Sequence, residues 1–126
     1  MIESTVRTQL KNDTTVKGLV ADRIYVGAKL PQGAVLPLVV IHMISHTADN
    51  TIKGACNLQW ERLQIEAWAS TIAGADTLLK AVDAALNGKK FSTVVSCDVL
   101  TGGATSFEEP IQAHVLSLDF GVWFKR

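Results

Sequence analysis

The sequence from Leu63 to Gly88 is LQIEAWASTIAGADTLLKAVDAALNG. Up to Ala69 apolar and polar side chains alternate, which is typical of a strand with one buried face. The spacing then changes to a helical period, with Ser70-Thr71 as the N-cap and Gly88 free to end the helix in a left-handed conformation. The predicted helix, up to Asn87, has one apolar face, formed by Ala75, Leu78, Leu79, Val82, Ala85 and Leu86.

Two further strands are predicted after this helix. Phe91 to Leu100 is rich in valine and threonine, which favour strands. Val115 to Phe124 has a regular period of two, with Phe120 on its apolar face and Trp123 on the other. Between them, Thr101 to Pro110 contains Gly102-Gly103 and Glu108-Glu109, and we expect it to form a flexible loop.

The residues before Leu63 predict a helix and another strand. Ile2, Val6 and Leu10 recur at helical spacing, and Asp13 or Thr14 can cap a short second turn that carries Val16, Leu19 and Val20. The residues from Gly27 to Pro37 predict an irregular connection. Leu38 to Ser45 predicts a strand covered on both faces.

The polar segment from Thr47 to Asn57 predicts a hairpin connection or arm that leads back to the strand at Leu63. Leu58 and Trp60 have the opposite parity from Leu63, which predicts a β-bulge near Glu61-Arg62.

Together these segments predict one α+β domain over residues 1–126. We expect an antiparallel sheet of about four main strands, in two hairpins, packed against the long helix, with an additional N-terminal helix.

The composition excludes several classes of protein. The 126 residues contain 12 Lys+Arg and 12 Asp+Glu, and 48% are hydrophobic, which excludes a disordered chain and disfavours a dedicated nucleic-acid binder. No apolar run reaches the ~18–20 residues of a membrane span, and the N-terminus has no secretory pattern. We therefore expect cytoplasmic synthesis, with Cys56 and Cys97 as free thiols.

Candidate chemical sites are weak. His42 and His46 have even spacing, so on a regular strand they would share a face, and Cys56 or His114 could be imagined as a third metal ligand. Two packed strand histidines are the simpler interpretation. Neither Ser96 nor Ser117 lies in a nucleophile elbow, and Gly102 to Thr105 lacks the lysine of a phosphate loop. We expect no catalytic residue, cofactor or metal.

The tryptophans allow two interpretations. Trp68 and Trp123 lie on the more polar parity of their strands. They can form a thin second core layer under the N-terminal helix, which we favour for Trp68, or a subunit contact, since aromatic residues are enriched in interface cores. For Trp123 both interpretations remain open.

Several stretches, taken in order, resemble the tail completion family of long-tailed bacteriophages and prophages, which are small tail terminator, or tail-to-head joining, proteins. The resemblance covers nearly the whole chain. It is carried by Arg23-Ile24-Tyr25, Pro31-Gln32-Gly33-Ala34, Leu36-Pro37-Leu38-Val39-Val40, Leu63-Gln64-Ile65-Glu66-Ala67-Trp68-Ala69, Leu86-Asn87-Gly88 and Leu118-Asp119-Phe120-Gly121-Val122-Trp123-Phe124.

The resemblance implies a structural protein without enzymatic activity. Members form a ring, typically a hexamer, at the head-proximal end of the tail tube, although the isolated subunit can stay monomeric. The implied partners are other copies of the chain, the tail tube protein and the head–tail connector, and DNA passes through the lumen without specific binding. The implied location is the virion, at the head–tail interface, after synthesis in the host bacterial cytoplasm and without a membrane association.

Three alternatives remain at this stage. They are another ring of the phage neck, such as a head-completion or stopper protein; a small-ligand-binding or enzymatic α+β domain; and an RNA-binding sheet. The last lacks the exposed aromatic and basic surface that such sheets use.

A terminator ring needs two unlike faces, one for the tube and one for the connector. The two polar segments are candidate sources of this difference, and their orientation is left open. We therefore expect interface residues among Asp49, Asn50, Lys53, Phe107, Glu108, Glu109 and Trp123. Because a basic bore would bind the duplex tightly, the zero net charge also predicts a neutral or acidic lumen.

Overall fold

The computed structural model describes residues 2–27, 30–51 and 54–125, with the backbone alone described for residues 47–51, 54–57, 101, 103 and 104. A single sheet and its helices make up the described chain. In sequence order the elements are α1 (Ile2–Asn12), α2 (Thr14–Val20), β1 (Ile24–Val26), β2 (Leu38–Thr51), β3 (Gly54–Ala69), α3 (Ile72–Leu86), β4 (Val94–Glu108), a 3-10 turn (Glu109–Ile111) and β5 (Ala113–Lys125).

The sheet has five strands in the order β1-β2-β3-β5-β4. The hairpins β2–β3 and β4–β5 are antiparallel, as is the central pair β3–β5. The α+β class and the two hairpins predicted from the sequence are therefore confirmed. The short strand β1, which pairs in parallel with Val39–Ile41 of β2, was not predicted.

All three helices pack on one face of the sheet. Side chains from α1, α2 and α3 form one buried cluster with Leu63 of β3 and Phe120 of β5, both fully buried. The helix starts follow the sequence signals: the Thr71 hydroxyl accepts a hydrogen bond from the Gly74 N–H at 2.9 Å, and the Asp13 carboxylate accepts one from the Val16 N–H at 3.0 Å.

The hairpin strands are longer than predicted. β2 continues through Thr51, and β3 begins at Gly54, so the polar segment is an arm built from both strands. The loop predicted for Thr101 to Pro110 is wrong, because β4 continues to Glu108 and pairs with β5 over this stretch, with single-residue bulges. Glycine is required at position 102 of this strand, because the Leu118 side chain occupies the space where a Cβ would lie.

The predicted bulge near Glu61-Arg62 is also wrong. β3 pairs with β5 without a register shift from Leu58 to Ala69. Single extra residues lie in the flanking strands instead, at positions without a direct partner: Ile44 in β2, and Val95, Leu100 and Gly103 in β4. A further irregularity, near the tip of the arm, places one residue of β2 opposite three of β3, between the pairs Ala48–Gln59 and Asn50–Ala55. Such bulges bend and twist a strand locally.

The opposite face of the sheet carries the tryptophans and is called here the tryptophan face. Trp60, Trp68 and Trp123 lie on it, each half-buried. Because α1 packs on the other face, the predicted second core layer under the N-terminal helix is wrong. None of the helices in the described residues is long and apolar enough to span a membrane.

Candidate assembly surfaces

The predicted interface residues separate into two groups at opposite ends of the sheet. Phe107, Glu108 and Glu109 lie at the turn between β4 and β5, which is called here the acidic end. Trp123 lies near the other end of β5, level with Trp60 at the base of the β2–β3 arm. The described part of Asp49 and Asn50 is their backbone, which belongs to β2 near the tip of this arm, and Lys53 lies outside the described residues.

The acidic end combines exposed carboxylates with apolar surface. Phe107 is 48% exposed, and its ring lies against that of His114 with 4.9 Å between centroids. A cavity of about 340 Å³ beside this pair is also bordered by Ile72, at the start of α3. Glu108 and Glu109 are both exposed. This end can therefore dock an apolar group flanked by positive charge.

Gly121 explains how the tryptophan face packs near Trp123. A Cβ at this position would lie 3.0 Å from the Trp60 indole nitrogen and 3.1 Å from a Leu100 methyl carbon. The glycine therefore lets Trp60 and Leu100 approach the backbone of β5 from the neighbouring strands. The result is a small apolar area, with Leu100 still 47% exposed.

Ionic contacts connect the strands on the rest of this face. The Arg62 Nε and Nη2 atoms donate to one oxygen of Asp119 at 2.9 and 2.7 Å. The Glu66 carboxylate accepts from the Trp68 indole N–H at 3.1 Å and lies 3.1 Å from His42 Nε2. These side chains are satisfied by one another, which gives a polar surface of defined shape rather than a reactive site.

The two candidate histidine ligands lie on opposite faces of the sheet. His42 is level with Gln64 on the tryptophan face, whereas His46 is level with Glu61 on the helix-covered face. The bulge at Ile44 shifts the alternation by one residue between them. They therefore cannot bind the same metal ion. Among the side chains that are described, no three metal-ligating residues come together.

Sequence reasoning missed a buried carboxyl group, that of Glu61. It is fully buried, and its Oε1 lies 3.1 Å from His46 Nδ1. Burial, followed by the neighbouring carboxyl of Glu3, raises the pKa of Glu61 from its ordinary value of 4.5 to about 8. The signal was present in the sequence, because the alternation that runs back from Ala69 places Glu61 on the apolar face.

The candidate nucleophiles are not activated. Cys97 is buried, and burial, followed by the charge of Asp98, raises the pKa of its thiol to about 12. The Ser96 hydroxyl donates to Asp98 at 3.3 Å, on exposed surface. The carboxylate of Asp119, near Ser117, is held by Arg62.

A second cavity, also of about 340 Å³, lies between the start of α3, α2 and the end of β3. Its described lining includes Leu19, Pro37 and Leu78, with hydroxyl groups from Ser70 and Thr71 and no ionisable side chain. Such a lining offers no general acid or base.

Comparison with known proteins agrees with this arrangement. Residues 4–125 match the family model described as "Tail completion protein gp17". The fold is similar to a chain in the solved structure entitled "Virion of native gene transfer agent (GTA) particle", with a TM-score of 0.71 and 19% sequence identity over 96% of this chain and 92% of that chain. No match is found among curated proteins. Because the family model covers nearly all of the sequence, the chain belongs to the tail completion protein gp17 family.

Proposed function

We propose that this structural protein of the phage tail assembles as a ring at the head-proximal end of the tail tube. There it ends tube growth and joins the tail to the head while DNA passes through the lumen. The observation that carries the proposal is the separation of two unlike surfaces on one sheet. The acidic end lies at the start of β5, whereas Trp123 and the base of the β2–β3 arm lie near the other end of β5.

The separation suits a joining role. Ala113 and Trp123 lie at opposite ends of β5, and at about 3.3 Å per residue these ends are roughly 30 Å apart. A copy in a ring with its strands along the axis would present the acidic end to one neighbour in the virion and the arm to the other. Because the two ends differ in charge and shape, each can select a different partner.

The proposal includes no catalytic step. The buried thiol of Cys97, the paired Asp119 and the separated histidines give the described residues no activated nucleophile or metal centre. This supports a function that depends on shape and surface, and it disfavours the ligand-binding or enzymatic alternative. Another ring of the phage neck remains the alternative within the virion.

Tube elongation in vitro tests the proposal. Purified protein is added to elongating tail tubes, and tube lengths are measured by electron microscopy. We expect growth to stop at capped ends, with a ring visible at one end of each tube. Unchanged tube lengths contradict termination, and unchanged lengths combined with restored head joining identify another neck ring.

Charge reversal at the acidic end separates folding from joining. We expect the double variant Glu108→Lys/Glu109→Lys to change the free energy of unfolding by less than about 0.5 kcal/mol, because both residues are exposed. Binding to the virion partner at this end should weaken about tenfold or more, because both charges change sign at a contact. Chemical denaturation and joining assays measure the two effects.

A matched control makes the same change in net charge elsewhere. Asp22 is exposed, and Asp76 forms an exposed ion pair with Lys80 on α3, so replacing both with lysine should alter neither stability nor joining by much. If the control variant loses joining as completely as the acidic-end variant, the effect is one of net charge and the acidic end is not a docking surface.

The assembled ring should bind DNA weakly. The chain has no net charge, with 12 Lys+Arg against 12 Asp+Glu. Tight binding of DNA comes from basic side chains that contact phosphates and release counterions. A neutral or acidic bore makes few such contacts, so duplex DNA can pass through it. Titration of ring-capped tubes with duplex DNA measures this, and salt-dependent binding tighter than about 1 μM contradicts it.

A further inference from the structure

Three ionisable side chains from three elements meet at the base of the β2–β3 arm, on the helix-covered face. Glu61 of β3 is fully buried, and its Oε1 lies 3.1 Å from Nδ1 of His46 on β2. The third group is the carboxyl of Glu3, in the first turn of α1, which neighbours that of Glu61. The proposed function makes no use of this cluster, although a buried carboxyl is costly to the fold.

The two carboxyl groups lack partners of opposite charge. Among the described residues, Glu61 Oε2 and Glu3 Oε1 are buried and take part in no hydrogen bond, and the ion pairs include no lysine or arginine beside either group. On β5, Val122 is level with Glu61, and the Phe124 ring lies 6.3 Å from that of His46. The cationic groups that face Glu61 are therefore His46, when it is protonated, and the N-terminal amine, which lowers the pKa of Glu61.

One proton is needed to hold the two carboxyl groups together. Two like charges in a buried site repel each other strongly, so one of them stays neutral. The N-terminal turn of a helix favours a negative charge, so Glu3 is the group that stays ionised and Glu61 is the group that holds the proton. Burial, followed by Glu3, raises the pKa of Glu61 to about 8, so the proton is present at neutral pH.

The first turn of α1 is the part that can move when this proton is lost. Glu61 belongs to a strand that is paired on both sides, with His46 and with Val122. The first turn of α1 is held by side-chain packing instead, through Ile2. One turn further on, the Arg7 Nε donates to the Ile24 carbonyl at 2.6 Å and anchors the helix. A second charge in the site therefore displaces the first turn, while the rest of α1 stays docked.

We propose that Glu3, Glu61 and His46 form a proton-dependent latch, in which a proton held between the two carboxyl groups keeps the first turn of α1 on the base of the arm and loss of this proton releases the turn. The inference does not depend on the proposed ring. It places a regulated element beside one of the surfaces of that proposal, because Glu61 directly follows Trp60, which is level with Trp123.

The direction of the pH dependence follows from the proton. The closed latch holds a proton that the open state releases, so opening becomes easier as the pH rises from 4.5, the ordinary pKa of a glutamate, to about 8, the pKa of Glu61 in the folded protein. The change is up to about tenfold in the opening equilibrium per pH unit, and it levels off above pH 8.

Amide hydrogen exchange measured by NMR on the isolated protein tests the latch. The amides of Val6 and Arg7 lie in the first hydrogen-bonded turns of α1, and amides around Phe120 in β5 report global unfolding. After correction for intrinsic rates, protection at Val6 and Arg7 should fall at least tenfold between about pH 5.5 and pH 7.5, and it should stay below that in β5. Equal protection in α1 and β5 at every pH shows that only global unfolding occurs, which overturns the proposal.

Two substitutions locate the proton on the carboxyl pair. Glu61→Gln cannot titrate, so protection at Val6 and Arg7 should no longer depend on pH and should exceed that of the wild type at least tenfold near pH 8. Glu3→Gln should weaken the pH dependence, and it tests the latch even where Glu61→Gln does not fold. Glu108→Gln, at an exposed carboxyl, should keep the pH dependence of the wild type.

His46→Gln distinguishes the carboxyl pair from the histidine as holder of the proton. We expect this variant to retain the fall in protection with pH. If His46→Gln abolishes the pH dependence while Glu61→Gln retains it, the histidine holds the proton and the latch as proposed is wrong. Protection in wild-type α1 that is lower than in β5 but independent of pH also overturns the proposal.

Discussion

Replacing Phe120 with alanine is expected to lower the free energy of unfolding by about 3–5 kcal/mol. Phe120 is fully buried at the centre of β5, in the cluster that joins the sheet to the helices. Its removal leaves a cavity, because strands on both sides hold the surrounding side chains in place. Such a loss is a large part of the stability of a small domain, and urea denaturation monitored by tryptophan fluorescence measures it.

The matched control is the same substitution at Phe107, on the neighbouring strand. Phe107 is 48% exposed, so Phe107→Ala should cost less than about 1.5 kcal/mol, since much of its ring already contacts water. Equal losses at the two positions would show that the helix-covered face is not the main core.

The stability of the protein is expected to fall as the pH rises from about 4.5 to about 8, through the buried carboxyl of Glu61. Its pKa is raised from 4.5 to about 8 in the folded state, so in this range the folded protein holds a proton that the unfolded chain releases. The free energy of unfolding should therefore decrease by up to about 1.4 kcal/mol per pH unit from this group. Denaturation at several pH values within this range measures the slope.

Glu61→Gln should remove this part of the slope, because an amide of similar size does not titrate. The variant should match the wild type near pH 4.5 and exceed its stability near pH 8. Glu3→Gln should remove a smaller part, since the Glu3 carboxyl raises the pKa of Glu61. Glu108→Gln, at an exposed carboxyl, controls for the substitution itself. A wild-type slope in Glu61→Gln contradicts the assignment.

Local chemistry made much of the fold predictable. Thr71 and Asp13 cap helices through their own side chains, so their roles depend on a few neighbouring residues. The alternation in β5 placed Phe120 in the core and Trp123 on the opposite face. Such a pattern is informative because a slip of one residue would move every side chain to the wrong face.

The errors arose where distant pairing decides the structure. Gly102-Gly103 and Glu108-Glu109 have turn-forming composition, yet pairing with β5 holds Thr101 to Glu108 in a strand. Leu58 and Trp60 differ in parity from Leu63 because they lie on the tryptophan face of an uninterrupted β3, and not because β3 contains a bulge. Their apolar character alone does not show which face of the sheet they cover.

The candidate surfaces were predicted in part. Phe107, Glu108 and Glu109 do form one exposed group, and Trp123 lies apart from them, but sequence spacing alone could not show that they occupy opposite ends of a sheet. The exposed apolar residues Ile44 and Leu100 were not singled out. Ile44 is exposed at a bulge beyond Val39–Ile41, the part of β2 that pairs with β1, and Leu100 is exposed at a bulge of the outer strand β4, where its side chain lies over Gly121.

The distribution of register shifts has a consequence for how this family can diversify. The central pair, β3 and β5, runs without an interruption from Leu58 to Ala69, whereas single unmatched residues occur at Ile44 on one flank and at Val95, Leu100 and Gly103 on the other. Deleting such a residue leaves the pairing on either side of it intact. In an alignment of homologues, one-residue gaps should therefore accumulate at these positions and be rare within the central pair. The flanking strands of the subunit can then change in length while the pairing of β3 with β5 stays the same.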